Sequence, residues 1–300
     1  MPKEDTHIEV GFFGGSFTGL PLATQRSYLQ RVEPFIKEGR IAGIRLSTRP
    51  DYINDEILTM LKKHTVSTIE LGVQSMVDTV LTASKRGHTF EDIKKASELI
   101  IKYDLRLGHQ IMVGLPKSTL RDEIKSAKLS IDMRVNDIRI YPLIVIRNTE
   151  LADMFNKGQY APLDETEAVE RCAKLILLFE GNNINIIRCG LHPSEGLITG
   201  TEILAGPFHE AFRQKVETHI YRMLLSTIPN IHDVTKISYS PRESAYIIGY
   251  NRKNRDLIEA STGKKRIFYA GKSVKTGHLI VAYNSGAKQT FTRSMLLKGL

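Results

Sequence analysis

The chain has 300 residues, 41% of them apolar and 25% charged, with two cysteines and a formal net charge of +9. That balance suits one large globular domain with a smaller one, and it excludes a disordered, collagen-like or disulfide-stapled protein. No apolar run reaches the roughly 18 residues of a membrane span, the opening Met1-Pro2-Lys3-Glu4-Asp5 has no signal-peptide core, and Cys172 and Cys189 lack metal-ligand spacing; a cytoplasmic protein with no membrane role is expected.

Along the first two-thirds of the chain, short β-rich runs alternate with amphipathic helical ones. Residues 8–14 (IEVGFFG) read as a strand and 21–37 as a helix with Leu22, Tyr28, Leu29, Val32 and Ile36 on one side. Residues 44–48 form the next strand, and Asn54 is placed to cap a helix over 55–63. Strands follow at 68–73, 107–114, 137–145 and 185–189, separated by helices near 76–84, 91–103, 120–131 and 165–180. Six strands joined mostly by helices predict an α/β fold with a parallel sheet, open or curled into a partial (βα)6 barrel. In such sheets ligands bind at the carboxyl ends of the strands. Residues 190–206 read as a glycine-rich loop and 208–228 as a connecting helix. From Val234 a strand–helix–helix–strand–strand–helix pattern begins. The organisation predicted is a barrel over 1–190, a connecting segment over 191–229 and a small basic α+β domain over 230–300.

Charge is unevenly distributed. Between Lys236 and Leu300, 13 Lys and Arg stand against Glu243, Asp256 and Glu259, a net of +10, so residues 1–235 carry −1 of the total +9. An excess confined to the tail points to an anionic polymer, RNA or DNA first, against the alternative of a merely solvated basic surface.

Five segments fall at strand ends. Gly14-Gly15, followed by Ser16, lets backbone approach a ligand without a Cβ in the way, although a tight turn also explains two glycines. Ser47 and Arg49 lie at the second strand's end, where Arg49 can clamp a carboxylate or pair with Asp51. Gln74 and Ser75 end the third, whose Glu70 is a charge in a core strand that needs a partner. Arg86, in Lys85-Arg86-Gly87-His88, is a second carboxylate clamp or a solvated helix end. Gly114 and Leu115 close the strand that carries His109, a structural histidine or an acid–base group.

The ordered run FGGSF, TRPDYI, IELGVQSM, RGHT, GLP and IYPLIV, then NTEL and GQY, spans about residues 9–161. It resembles the radical S-adenosylmethionine enzymes and, among them, the Elongator catalytic subunit and its bacterial relatives. The resemblance implies a barrel that binds S-adenosylmethionine and acts on RNA, most plausibly a tRNA base. Position by position it implies that Gly14, Gly15 and Ser16 receive the methionine amino group and that Ser47 and Arg49 lie by the ribose or methionine part. Gln74 and Ser75 would face the cofactor, Arg86 would hold its carboxylate, and Gly114 and Leu115 would border the adenine. Relatives commonly carry an acidic residue at the Ser47 position, which weakens the ribose contact, and a Glu at the Ser16 position, though Elongator-like members have Thr there.

The departure lies upstream. The family holds a [4Fe-4S] cluster on three cysteines of a loop that precedes the Gly-Gly strand, whereas only eight residues precede Glu9 and none is Cys. The expectation is a truncated chain, from a late start or a fragment, with an evolved cluster-free descendant as the other possibility. Either way the chain as given should be inactive or dependent on a missing piece, and its catalytic residues stay unassigned. A strand over 8–14 would then form an exposed apolar edge. In the tail, Gly249 begins a loop between two helices that resembles a KH module lacking its second loop glycine. Arg252, Lys253, Arg255, Lys264 and Lys265 would supply its phosphate contacts. Two further readings are a non-catalytic RNA-binding protein built on a degenerate barrel, and an unrelated barrel enzyme using His109 or Glu70. The Elongator subunit's acetyltransferase domain has no counterpart in these residues. The sequence leaves the oligomeric state open.

Overall fold

Short strands alternating with amphipathic helices have one economical packing, a parallel sheet with helices laid across it, and the computed structural model, described over residues 8–299, shows this in its first unit. The absence of cysteine from residues 1–7 is a fact of sequence only, since those residues lie outside the described ones.

The chain divides into two compact units, residues 1–141 with 182–188, and residues 142–181 with 189–300. The first runs β1 (Glu9–Phe12), α1 (Leu22–Lys37), β2 (Gly43–Thr48), α2 (Asp55–Lys63), β3 (Val66–Gln74), α3 (Asp78–Ala83), α4 (Phe90–Lys102), β4 (Arg106–Val113), α5 (Leu120–Asp132) and β5 (Asp137–Pro142). The second adds β6 (Val145–Ile146), α6 (Glu150–Asn156) and α7 (Glu165–Gly181), after which β7 (Asn185–Cys189) returns to the sheet. Strand order is β1-β2-β3-β4-β5-β7, a curled half-barrel whose first four strands pair in parallel. Among the described residues β1 ends the row. All six expected strands are present. The fifth is shorter than its pattern, because the chain breaks after Pro142 and Val145–Ile146 pairs instead with a later strand.

The sheet's two faces differ sharply. Ile44, Leu46, Ile69, Leu71, Leu107, Ile138 and Ile140 are fully buried on the helix-covered face, with Leu58, Leu61, Ile93 and Ile100 from the helices. The alternating positions, on the inner face, are Glu9, Arg45, Ser47, Glu70, Gln110, Arg139 and Tyr141. The turns are set locally. Asn54 Oδ1 accepts the Ile57 N–H at 2.9 Å, and Thr89–Asp92 and Thr119–Asp122 form reciprocal capping boxes on α4 and α5.

In the second unit, α8 (Glu195–Ile198) and β8 (Ile203–Ala205) occupy the expected glycine loop, and β8 pairs antiparallel with β6. Then come α9 (Phe212–Ser226), β9 (Val234–Tyr239), α10 (Ser244–Ile248), α11 (Lys253–Thr262), β10 (Phe268–Ala270), β11 (His278–Tyr283) and β12 (Lys288–Thr292). The strands order as β10-β9-β11-β12, with β10 parallel to β9 and β11 antiparallel to both β9 and β12. Where a final helix was expected there is a fourth strand, β12, in a hairpin with β11, and a short 3-10 segment, Arg293–Gly299. Tyr221, Leu224, Val234, Ile237, Ile247, Leu279 and Val281 are all fully buried and form this core.

Candidate cofactor site

The carboxyl ends of β1 to β4 form one rim that carries Gly14-Gly15, Ser47, Gln74 and Gly114, and the turn between α3 and α4 carries Arg86. Gly14 has φ +106°, a conformation costly to any side chain, and a Cβ at Gly14 or Gly15 would meet nothing within 4 Å. The turn is therefore open on its ligand side. Ser16 turns the chain into a 3-10 segment by accepting the Gly19 N–H on its carbonyl at 3.0 Å.

Two arginines, Arg49 after β2 and Arg86 in the turn between α3 and α4, meet different fates. Arg49 is bidentate with Asp51, Nε to Oδ1 at 2.9 Å and an Nη to Oδ2 at 2.7 Å, and its guanidinium stacks 5.3 Å from the Tyr52 ring. That hydrogen bond raises the arginine's pKa. Of the two roles open to Arg49 in the sequence, the structure shows the pair with Asp51. Gly87, at φ +74°, lets the Arg49 guanidinium lie 3.1 Å from where a Cβ would be. Arg86, next in sequence, has no ion pair among the described residues, and its Nε is buried without a hydrogen-bond partner. Burial first, then the neighbouring Arg49, pushes its pKa below the ordinary arginine value. A guanidinium partly withdrawn from water and without an ion pair is a receptor for an anion. His88 beside it is buried, with Nε2 3.2 Å from the Val73 carbonyl oxygen and Nδ1 unpartnered, and burial lowers its pKa.

Ser47 shares its face of β2 with Arg45 and points into the polar lumen, whereas Thr48 on the other face meets Thr18 Oγ1 at 2.5 Å. Gln74 is buried at φ +66° and accepts a hydrogen bond from Gln110 Nε2 at 2.9 Å. A strained residue at the mouth of a site is held there by its surroundings, here the register shift between Leu71 and Gln74. Ser75 Oγ is engaged by the Val77 N–H at 3.2 Å. Gly114, at φ +84°, gives its N–H to Glu123 Oε1 at 2.8 Å, which fixes the turn carrying buried Leu115.

Beneath the rim lies a charge network that the strand pattern only hinted at through Glu70. Glu70, 3% exposed, is gripped by Arg139 and lies 3.0 Å from Arg45 Nε. Arg45 also pairs with Glu9 at 3.6 Å and Asp137 at 3.2 Å, Arg106 pairs with Asp137 at 3.2 Å, and Arg139 lies 4.9 Å from the ring of exposed Phe13. Three arginines balance three carboxylates, which is what a low-dielectric lumen requires. Locked between two guanidinium groups, Glu70 is not available as a base. Nor is His109. It is fully buried and its pKa is pushed down to about 3 by burial. Ser97 Oγ spends its proton on the Ile93 carbonyl at 2.7 Å, so His109 Nε2 must donate to Ser97 at 3.0 Å, and Ser130 Oγ donates to Nδ1 at 3.1 Å. The ring is neutral and saturated, a structural histidine.

The tail residues separate into two groups. Arg252 and Lys253 stand at the start of α11, after a turn with left-handed backbone at Asn251 (φ +52°) and Arg252 (φ +62°). Arg255 lies on the same helix beside Asp256 at 3.8 Å. Lys264 and Lys265 follow its far end, about 15 Å away at 1.5 Å per residue. The Lys264 ammonium is engaged, donating to the Val234 carbonyl at 3.0 Å, the His232 carbonyl at 3.4 Å and Asn284 Oδ1 at 3.3 Å.

The rim fits S-adenosylmethionine in kind: an open glycine turn, an amide pair, and a half-buried guanidinium with no ion pair among the described residues. An iron–sulfur cluster does not fit the residues present. The sequence has two cysteines where three thiolates are needed, both are buried, and among the described residues no group of His, Cys, Asp or Glu could hold a metal. No described helix is long and apolar enough to cross a membrane.

Comparison with known proteins agrees with this geometry. The model of the Radical SAM superfamily matches residues 3–129, and that of the Radical_SAM C-terminal domain matches residues 135–222. The tRNA uridine(34) acetyltransferase of Methanocaldococcus jannaschii is 35% identical over 136 residues, 44% of this chain and 25% of the relative. The enzyme of that name from Methanocaldococcus infernus is 34% identical over 183 residues, 54% of this chain and 34% of the relative. Elongator complex protein 3 of Saccharomyces cerevisiae is 24% identical over 191 residues, 57% of this chain and 34% of the relative. The chain thus spans a quarter to a third of the length of these curated relatives. The solved archaeal Methanocaldococcus infernus Elp3 with residues 1–46 deleted superposes with a TM-score of 0.66 at 25% identity, covering 72% of this chain and 54% of that one. With two models of one superfamily matching consecutive stretches, and the rim motifs in place, the chain belongs to the radical S-adenosylmethionine superfamily, in its Elongator-like branch.

Proposed function

We propose that the first unit is an S-adenosylmethionine-binding half-barrel and that the protein serves modification of a tRNA base. The observation that carries the cofactor reading is Arg86, a half-buried guanidinium whose Nε is shielded without a partner and which has no ion pair among the described residues, at a rim of open backbone. Its natural counter-ion is the methionine carboxylate. Gly14, Gly15 and Ser16 would face the amino group, Gln74 the body of the cofactor, and Gly114 with Leu115 the adenine. The bound cofactor supplies an activated sulfonium to the family's chemistry. Within these residues the chain provides binding and orientation, and no step through a cluster is derived for it. Support for tRNA comes from relatives named tRNA uridine(34) acetyltransferase and from the net charge of +10 between Lys236 and Leu300. Acetyl transfer is not proposed.

The non-catalytic reading, an RNA-binding protein on a barrel without a cluster, is favoured by one observation: the two cysteines are both buried. Calorimetry with S-adenosylmethionine and S-adenosylhomocysteine tests the cofactor reading. Both should bind wild type, and Arg86→Leu should weaken binding at least about tenfold, the value of one charge-assisted hydrogen bond. The same substitution should leave the unliganded fold as stable or more so, because it removes a half-buried charge that has no ion pair. Absence of heat with well-folded wild type would refute the cofactor reading.

A further inference from the structure

A second site lies in the other unit, on α9 and the turn between α10 and α11. A cavity of about 120 Å³ is lined by Glu165, Lys215, Thr218, His219, Arg222, Tyr250 and Lys253. That is well below the roughly 300 Å³ at which drug-sized ligands begin, and it suits a small polar group. The lining is cationic and only partly compensated. Lys215 is neutralised by Glu165, with Nζ 2.7 Å from each carboxylate oxygen, and lies 5.0 Å from the Tyr250 ring. Arg222 has one long contact, Nε to Asn254 Oδ1 at 3.4 Å, and neither it nor Lys253 has an ion pair among the described residues.

The backbone adds to that field. Lys253 opens the ten-residue helix α11, and Arg252 before it offers no side-chain cap to the first-turn N–H groups. The turn is held against α9 by the Tyr250 N–H to Thr218 Oγ1 at 3.0 Å and Asn254 Nδ2 to the Thr218 carbonyl at 2.9 Å. These bonds fix the helix start beside Arg222 and His219, so the site exists before any ligand arrives. His219 reports the local potential: burial first, then Arg222 and Lys174, lower its pKa against the opposing pull of Glu170.

We propose that this cavity is a receptor for one phosphate group, held by Arg222, Lys253 and His219 at the uncapped start of α11, and that rests on the polyanion reading above for its natural ligand. The shared chemistry is a tetrahedral oxyanion, whether an internal phosphodiester, a 5′-terminal phosphate or the free ion. The site narrows the tail's nucleic-acid contacts to one end of α11 and brings in α9 residues that carry no RNA-binding motif.

The test titrates the full chain with inorganic phosphate and with short single-stranded oligoribonucleotides bearing a 5′-phosphate or a 5′-hydroxyl, followed by calorimetry and by NMR of the His219 ring. Inorganic phosphate should bind with one equivalent and raise the His219 pKa, and Arg222→Gln and Lys253→Gln should each weaken it about tenfold or more. Lys288→Gln, on β12, should not. Lys253 is exposed, so its replacement keeps the test valid if Arg222→Gln does not fold. A preference for the 5′-phosphate oligomer assigns a terminal phosphate, and equal binding of both oligomers, lost in both variants, assigns an internal one. Phosphate binding without oligomer binding keeps the site, with the free ion as its ligand, and removes the RNA reading. No phosphate effect on His219, or binding unchanged in both variants, overturns the site. Oligomer binding that survives both variants would do so while leaving the RNA reading intact.

Discussion

Acidification should unfold this protein in part through one ring. His109 is neutral and saturated by Ser97 and Ser130, and burial holds its pKa at about 3. In the unfolded chain an ordinary histidine titrates near ~6.5. The folded value is the lower one, so between the two the unfolded state binds more protons, and stability falls as pH drops through the unfolded pKa. At pH 5 this single group removes about 2 kcal/mol relative to pH 7, taking 1.36 kcal/mol per unit over about 1.5 units. His109→Gln abolishes the titration while retaining an amide that can reach one serine. It should be less stable than wild type at pH 7, because it leaves a buried hydroxyl poorly paired. Its loss of stability between pH 7 and 5 should nevertheless be about 2 kcal/mol smaller than that of wild type. Urea unfolding followed by circular dichroism at the two pH values measures both quantities, and the comparison cancels the other eight histidines of the nine. Equal pH dependence in variant and wild type would refute the neutral buried assignment, as would an imidazolium signal from His109 in NMR at pH 5.

Two other outcomes follow from packing. Arg293 bridges Glu217 at 2.7 Å and Glu180 at 3.0 Å with only 12% of its side chain exposed, so Arg293→Met should cost about 3 kcal/mol by thermal unfolding, because it strands Glu180 and leaves buried Glu217 with Arg213 alone. A replacement that leaves the midpoint unchanged would show that the pair adds nothing. Gly87→Ala should cost about 1–2 kcal/mol for its φ of +74° and displace the Arg49 guanidinium 3.1 Å away, lowering S-adenosylmethionine affinity in calorimetry together with stability.

Much of the first unit was legible in the chain because its signals are local. Short β-rich runs placed all six strands, Asn54 announced a helix start, and glycines marked turns that do require positive φ at Gly14, Gly87 and Gly114. The pattern failed where pairing outweighed propensity. Residues 137–145 read as one strand, yet the last of them pair with Ile203–Ala205, nearly 60 positions on, a partner that no local periodicity names.

What sequence alone determined is the order of elements, the rim motifs and the concentration of positive charge in the tail, since each follows from residue type and short spacing. Tertiary structure decided which charged groups are already satisfied. Arg45 meets Asp137 across 92 positions, Arg49 is taken by Asp51 while Arg86 is left without a carboxylate, and Lys264 is drawn into backbone oxygens while Lys253 faces a cavity with Arg222. A charge becomes a binding site only when burial removes water and folding withholds a counter-ion, and both depend on contacts distant in sequence.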